Sequence, residues 1–233
     1  MAAARRAVGS RGSRAAVLPG PDREAVEAPD DGTPVQERLL AAASRLFAER
    51  GFALTSVQEI VELAGVTKGA MYHYYASKDD LLQQIYTRLL DGQSARLDAI
   101  ADAPGRPVRD RLRDAAADLV VSTLENLDDA TVSWRSMHML PPERLAQVRH
   151  ERRRFHERFR ALIEEGQEQG VLRRDISADL AAHQFFGGVH HLGAWYHADG
   201  QLAPESIGET FADLLLRGLD DRTGPESTIP DHD

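Results

Sequence analysis

The stretch from Thr55 to Lys78 gathers the side chains best suited to gripping a nucleic acid. Thr67, Lys68, Gly69, Tyr72, His73 and Tyr74 place a hydroxyl, an ammonium, an imidazole and two phenols in one short run, and Gly69 lets the backbone approach a groove. Such groups meet phosphate oxygens, which fix register, and a lysine also reaches the O6 or N7 edge of guanine. Thr55, Ser56, Tyr72, Tyr74 and Lys78 are therefore assigned to phosphates and Lys68 to a base edge. The plainer alternative is that Tyr72–Tyr75 are core rings and Lys78 a solvated cap. Four consecutive residues of a 3.6-residue helix cannot all face one core. Tyr75 is placed inside, and Tyr72, His73 and Tyr74 outside.

Two short helices and a tight turn must hold these groups. Ser56 can cap a helix, and Glu59 three residues later completes a capping box. Val57, Ile60, Val61 and Ala64 follow, and Gly65 breaks the run before a second short helix after Thr67. Ala64 is small enough for close packing, Val66 can plug the crevice, and Met71 completes a miniature core. This is the layout of a helix-turn-helix over residues 56–74.

A preceding helix is expected from about Pro34 to Arg50, with Val35, Leu39, Ala42, Ala43, Leu46 and Phe47 as its apolar stripe and Gly51 as its stop. Ser77 caps a helix near 78–101. Others are expected near 107–127, 130–140, 142–169, 177–197 and 204–220, separated by markers such as Pro104-Gly105, Asp128-Asp129 and Pro141-Pro142. No strand-like alternation interrupts them, so the fold class is all-α. Residues 1–33 read as a disordered arm, whose Arg5, Arg6, Arg11 and Arg14 could lie along DNA. Residues 34–80 form the helix-turn-helix domain, 81–220 a second helical domain, and 221–233 a disordered tail.

Composition sets limits. The net charge of −9 does not argue against DNA binding, which needs only a local footprint. The complete lack of cysteine excludes disulfides, thiolate metal sites and thiol nucleophiles and fits a cytoplasmic protein. No apolar run approaches the ~20 residues of a membrane span. Catalysis has no candidate constellation: there is no nucleophile elbow, phosphate-binding glycine loop or metal-ligand triad. His183 and His190 share one helix face and His190 and His191 diverge, short of the three or four converging ligands zinc takes. No metal and no cofactor are expected.

The run from Leu39 to Leu82 resembles the DNA-binding domain of the TetR family of bacterial repressors. The agreement lies in Phe47-Ala48-Glu49-Arg50-Gly51-Phe52, Thr55-Ser56-Val57, Ala64-Gly65-Val66, and Gly69-Ala70-Met71-Tyr72-His73-Tyr74-Tyr75 followed by Ser77-Lys78. Tyr75 departs from the family, which more often has Phe there. The resemblance implies a bacterial, nucleoid-associated homodimeric repressor that binds double-stranded operator DNA and a small molecule. Its second domain would bind the ligand and dimerise through a bundle of the last two long helices. The excess apolar surface of the final helices, with Phe186, Trp195, Phe211 and Leu215, fits such an interface. Mid-helix Gly187, Gly188 and Gly193 would permit close approach of another backbone.

A ligand pocket is expected where aromatic and methionine side chains cluster, at Trp134, Met137, His138, Phe155 and Phe159. Ordinary core packing is the alternative for each. Arg149, Arg152, Arg153 and Arg154 could hold ligand phosphates or form a solvated face paired with Glu151 and Glu157. Ile163-Glu164-Glu165-Gly166, Gly170-Val171-Leu172-Arg173 and Trp195-Tyr196-His197 resemble a TetR subgroup that regulates lipid, sterol and fatty-acid breakdown. That resemblance implies a hydrophobic effector, such as an acyl-coenzyme A. A drug-type or aromatic effector, or activation instead of repression, is the alternative.

Overall fold

A computed structural model describes residues 32–220; the basic arm and acidic tail lie outside the described residues, apart from the arm's last two positions, 32 and 33. Helices α1 (Val35–Arg50), α2 (Val57–Leu63) and α3 (Lys68–Tyr74) form an N-terminal cluster. The chain continues through α4 (Lys78–Ala101), α5 (Val108–Glu125), α6 (Leu127–Ser136), α7 (Pro142–Glu168), α8 (Ala178–His190) and α9 (Pro204–Leu219). The described residues are helical with no strand, as the sequence predicts.

The first helices start where their capping chemistry puts them. Ser56 accepts from the Glu59 backbone, and the Glu59 carboxylate accepts from Ser56 in return. Thr67 caps α3 through Ala70 N–H and Ser77 caps α4 through Asp80 N–H. Gly65 turns between α2 and α3 at φ 63°, a left-handed value that a side chain resists. Leu39, Phe47, Ile60, Ala64, Met71 and Tyr75 close the small core beneath it. The continuous α4 adds Leu81, Leu82 and Ile85 to that core and then carries Leu90 and Leu97 into the second half.

Two expectations are corrected downstream. Asp128-Asp129 is not a linker. The chain bends at Asn126, and the two acids open α6, where they favour the helix dipole. The helix expected to reach residue 197 ends at His190, and a 3₁₀ turn at Leu192–Ala194 replaces its last stretch. Within the protomer a close backbone-to-backbone approach is made by Gly208 of α9, where a Cβ would stand 2.9 Å from the Ala117 carbonyl oxygen of α5. Gly187 has open space around it, and Gly188 and Gly193 face the side chains of Phe211 and Thr131.

Candidate nucleic-acid interface and internal cavity

Helix α3 buries Met71 and leaves Thr67, Lys68, Gly69, Tyr72, His73 and Tyr74 exposed. Tyr72 and Tyr74 keep 54% and 44% of their surface, high for large rings and useful only if something docks there. The His73 and Tyr74 rings meet edge to face at 4.9 Å. The face is firmly backed. Arg50 of α1 pairs with Glu59 of α2 at 2.7 Å, and the Ser56 hydrogen bonds hold the Glu59 carboxyl below its ordinary range.

Two anchors of this unit point inward. Lys78 Nζ donates to the carbonyls of Phe52 and Thr55 at 2.7 and 2.8 Å and lies over the Phe52 ring at 4.3 Å. Burial pulls its pKa below the usual lysine range, with Asp79 opposing. Thr55 is 2% exposed, and its hydroxyl donates to the carbonyls of Gly51 and Leu46 at 3.0 and 3.3 Å.

The second half holds a partly open cavity of about 1020 Å³ between α4, α5, α6, α7 and α8. Leu90, Leu119, Phe155, Phe186 and Val189 supply apolar wall. Gln93 is buried in it and held by the hydroxyls of Ser122 and Thr123 at 3.2 Å. Trp134 stacks on His190, with ring centres 4.4 Å apart, and Arg152 covers the indole at 5.3 Å. Burial, then the Arg152 charge, pushes the His190 pKa down to about 4. The Arg152 guanidinium, which can only donate, reaches His190 Nε2 at 3.4 Å, so that nitrogen carries the lone pair.

Arg135, Arg149 and Arg153, all exposed, and the half-buried Arg152 line this cavity, and among the described residues none has a carboxylate partner, whereas Arg160, also in the lining, pairs with Glu164 at 3.5 Å. Arginines elsewhere in the fold mostly do, as with Arg111–Glu165 at 2.5 Å and Arg158–Asp98 at 3.1 Å. Asp129 of α6 joins the two halves. It is 5% exposed, accepts from the Ser44 hydroxyl of α1, and pairs with Arg88 of α4 at 2.5 Å.

Comparison with known proteins agrees with both halves. Residues 39–85 match the family model described as "Bacterial regulatory proteins, tetR family", and residues 105–219 match "Tetracyclin repressor-like, C-terminal domain". The repressor DhaR of Mycobacterium sp. strain GP1 is 34% identical over 158 residues, spanning 64% of this chain and 76% of DhaR. The chain belongs to the TetR family. It is accordingly a DNA-binding transcriptional repressor and not an enzyme. The repressor KstR2 of Mycobacterium tuberculosis is 25% identical over 187 residues, covering 78% of this chain and 90% of KstR2. The fold also matches the structure of AibR in complex with isovaleryl coenzyme A and operator DNA. The TM-score there is 0.69 and the identity 23%, over 80% of this chain and 98% of AibR. Dimers and bound ligands are typical of TetR structures. Among the described residues, no helix is long and apolar enough to cross a membrane.

Within this TetR frame the predicted residues divide. Ser56, Thr67, Lys68, Gly69, Tyr72, His73 and Tyr74 are exposed as expected. Thr55 and Lys78 are corrections: their polar atoms are committed to backbone carbonyls and are not presented to a phosphate. Of the pocket candidates, Trp134 and Phe155 line the cavity. Phe159 is fully buried core stacked on Phe185, while Met137 and His138 sit on the 3₁₀ turn Met137–Met139 outside the lining. Of the dimer candidates, Trp195 is exposed and Phe211 half-buried against Phe185. Phe186 and Leu215 are buried within the protomer and leave little surface for a partner. The apolar side chains that α8 and α9 leave most exposed are Leu180 and Leu214, each at 65%.

Gln93, Thr123 and Val189 line the cavity without being among the expected pocket residues. Gln93 had a usable signal, a polar residue between Leu90 and Leu97 on the buried stripe of α4. The others look like ordinary stripe residues until the helices are assembled.

Proposed function

We propose that this repressor reads a near-palindromic operator as a homodimer through α3 and is released by an anionic, hydrophobic effector seated in the cavity. Residues 34–80 are the DNA-reading unit and 81–220 the sensing and dimerising unit. Lys68 and Thr67, at the start of α3, face base edges; Ser56, Tyr72, His73 and Tyr74 line the phosphates. In the dimer, two α3 helices enter successive major grooves about 34–36 Å apart.

The observation that carries the effector reading is the set of cavity arginines with no carboxylate partner. A cavity this large with an apolar wall takes a lipid-like chain, and unpaired guanidiniums match phosphate or carboxylate geometry. An acyl-coenzyme A combines both. AibR holds isovaleryl coenzyme A, but its likeness is one of fold, so the reading rests on Arg135, Arg149, Arg152 and Arg153. A neutral drug-type ligand would leave those charges unused. Ligand in the cavity presses on α6, whose Asp129 holds α1, so the effector shifts the preference between two α1–α6 arrangements.

Titration of DNA from upstream of the protein's own coding sequence tests the first half. Tyr72→Ala is expected to weaken that binding at least about tenfold, or ~1.4 kcal/mol, with unchanged melting temperature. Unchanged affinity would remove α3 from the interface. Thermal-shift titration with acyl-coenzyme A thioesters tests the second half, since a ligand bound only by the native state raises apparent stability. Arg149→Ala should abolish most of that shift; a shift of equal size would rule out the arginine reading.

A further inference from the structure

Where α7 packs against α8, three side chains converge that no sequence spacing announces. His156 comes from α7, and Asp179 and His183 come from one face of α8 a single turn apart. One ligating atom from each lies within 4.8 Å of the other two. The Asp179 carboxylate stands 3.9 Å from His156 Nδ1 and 3.4 Å from His183 Nδ1. The gap to His156 is too long for a hydrogen bond and a small side-chain adjustment from the ~3.3 Å that separates tetrahedral ligands held ~2.0–2.1 Å from a shared ion.

We infer that His156, Asp179 and His183 form a site for an imidazole-preferring divalent transition-metal ion, open on its fourth side to the cavity.

The ring chemistry suits this. His183 Nδ1 lies 2.8 Å from the Asp179 backbone carbonyl. A carbonyl only accepts, so Nδ1 carries the proton and Nε2 keeps a free lone pair. Metal-binding histidines are commonly oriented by such a backbone bond. His156 makes no hydrogen bond among the described residues, and its Nε2 is buried without a partner.

Arg152 and Arg160 lie near enough to act on His156 and oppose any cation. That disfavours ions held by charge alone, such as calcium or magnesium. Two nitrogens and one carboxylate oxygen instead select zinc, cobalt or nickel. All three ligands line the cavity. Three protein ligands with one open position is the arrangement that admits water or an exogenous donor. The histidines of α8 alone make no such site, because His156, the second nitrogen ligand, sits on α7.

The test uses untagged, full-length protein freed of metal by chelator. Titration with Co²⁺ is followed by visible absorption, and Zn²⁺ is then added in competition. One saturable Co²⁺ site per protomer, with tetrahedral ligand-field bands displaced by Zn²⁺, is the expected result. Asp179→Asn and His183→Ala alter exposed side chains, so the fold should survive, as far-ultraviolet dichroism will check. Each should weaken Co²⁺ at least about tenfold, a loss that even outer-shell changes reach. His197→Ala, beyond α8 and outside the cavity lining, should leave it unchanged. No saturable site, a site that survives His183→Ala, or one equally weakened by His197→Ala would overturn the inference. No operator or effector enters the measurement, so its failure would leave the regulatory reading standing.

Discussion

In the helix-turn-helix, Ser56, Thr67 and Ser77 each spend a hydroxyl on a backbone N–H three residues away, and Lys78 spends its ammonium on two nearby carbonyls. Around the cavity, Arg135, Arg149 and Arg153 find no such partner among the described residues, and Arg152 has only a ring and an imidazole. The first unit is complete in itself and offers one exposed helix. The second holds polar groups in readiness for something outside the chain. A reading unit must be stiff before DNA arrives, since ordering it on contact would cost affinity. A sensing unit must instead have an unmet need that a ligand can satisfy, because only differential affinity shifts an equilibrium.

Asp129 tests whether the two units are separable, and it carries the largest expected effect. Its carboxylate is buried and serves Ser44 of the reading unit and Arg88 of α4 together. Asp129→Ala should destabilise the protein by about 3 kcal/mol, since it strands a buried hydroxyl and unpairs a guanidinium. Chemical denaturation should show this as a lower midpoint. If the residue also couples the units, the variant will bind operator but respond less to effector. Unaltered stability would mean that the α1–α6 contact is held by apolar packing alone.

How far each unit is legible in the sequence follows from the same contrast. The Ser56–Glu59 box, the Gly65 turn and the inward Tyr75 are decided by residues within four positions, so a linear reading finds them. Lys78 is not legible this way because its partners, Phe52 and Thr55, lie 26 and 23 residues away, and Thr55 is buried by the packing of α1 although one of its two partners, Gly51, is only four residues away. The cavity depends almost wholly on such distant meetings. Residue type alone points to Trp134 and Phe155, yet Phe159, equally aromatic, turns to the core, and Phe186, expected at an outer interface, joins the cavity wall beside Phe155. Asp128-Asp129 looked like a solvated break because a sequence does not reveal that α1 and α4 converge on one of the two acids.

Lys78 sharpens the contrast at intermediate magnitude. Two charge-assisted hydrogen bonds and a ring contact make it a tie between α4 and the loop before α2. Lys78→Met should therefore cost about 2 kcal/mol of stability. A phosphate contact would behave differently, because its loss lowers the slope of log affinity against log salt by about one. The expected outcome is a lower melting temperature with an unchanged salt slope. The reverse pattern would return Lys78 to the DNA surface.

The smallest effect expected belongs to His190, on the cavity side. Its native pKa is pushed down to about 4, against an ordinary value of 6.5 in the unfolded chain. Between those values the unfolded state binds the proton that the folded state refuses. Stability is thus fully present above pH 6.5 and is lost as pH falls toward 4. Between pH 7 and pH 5.5 the loss should be about 1 kcal/mol. Carboxylates elsewhere also respond to acid, so the informative quantity is the difference between the wild type and His190→Leu over that interval. The variant should be flatter by that amount. Equal slopes would show that His190 can take its proton without leaving the Trp134 stack, and that the cavity wall yields more readily than its packing suggests.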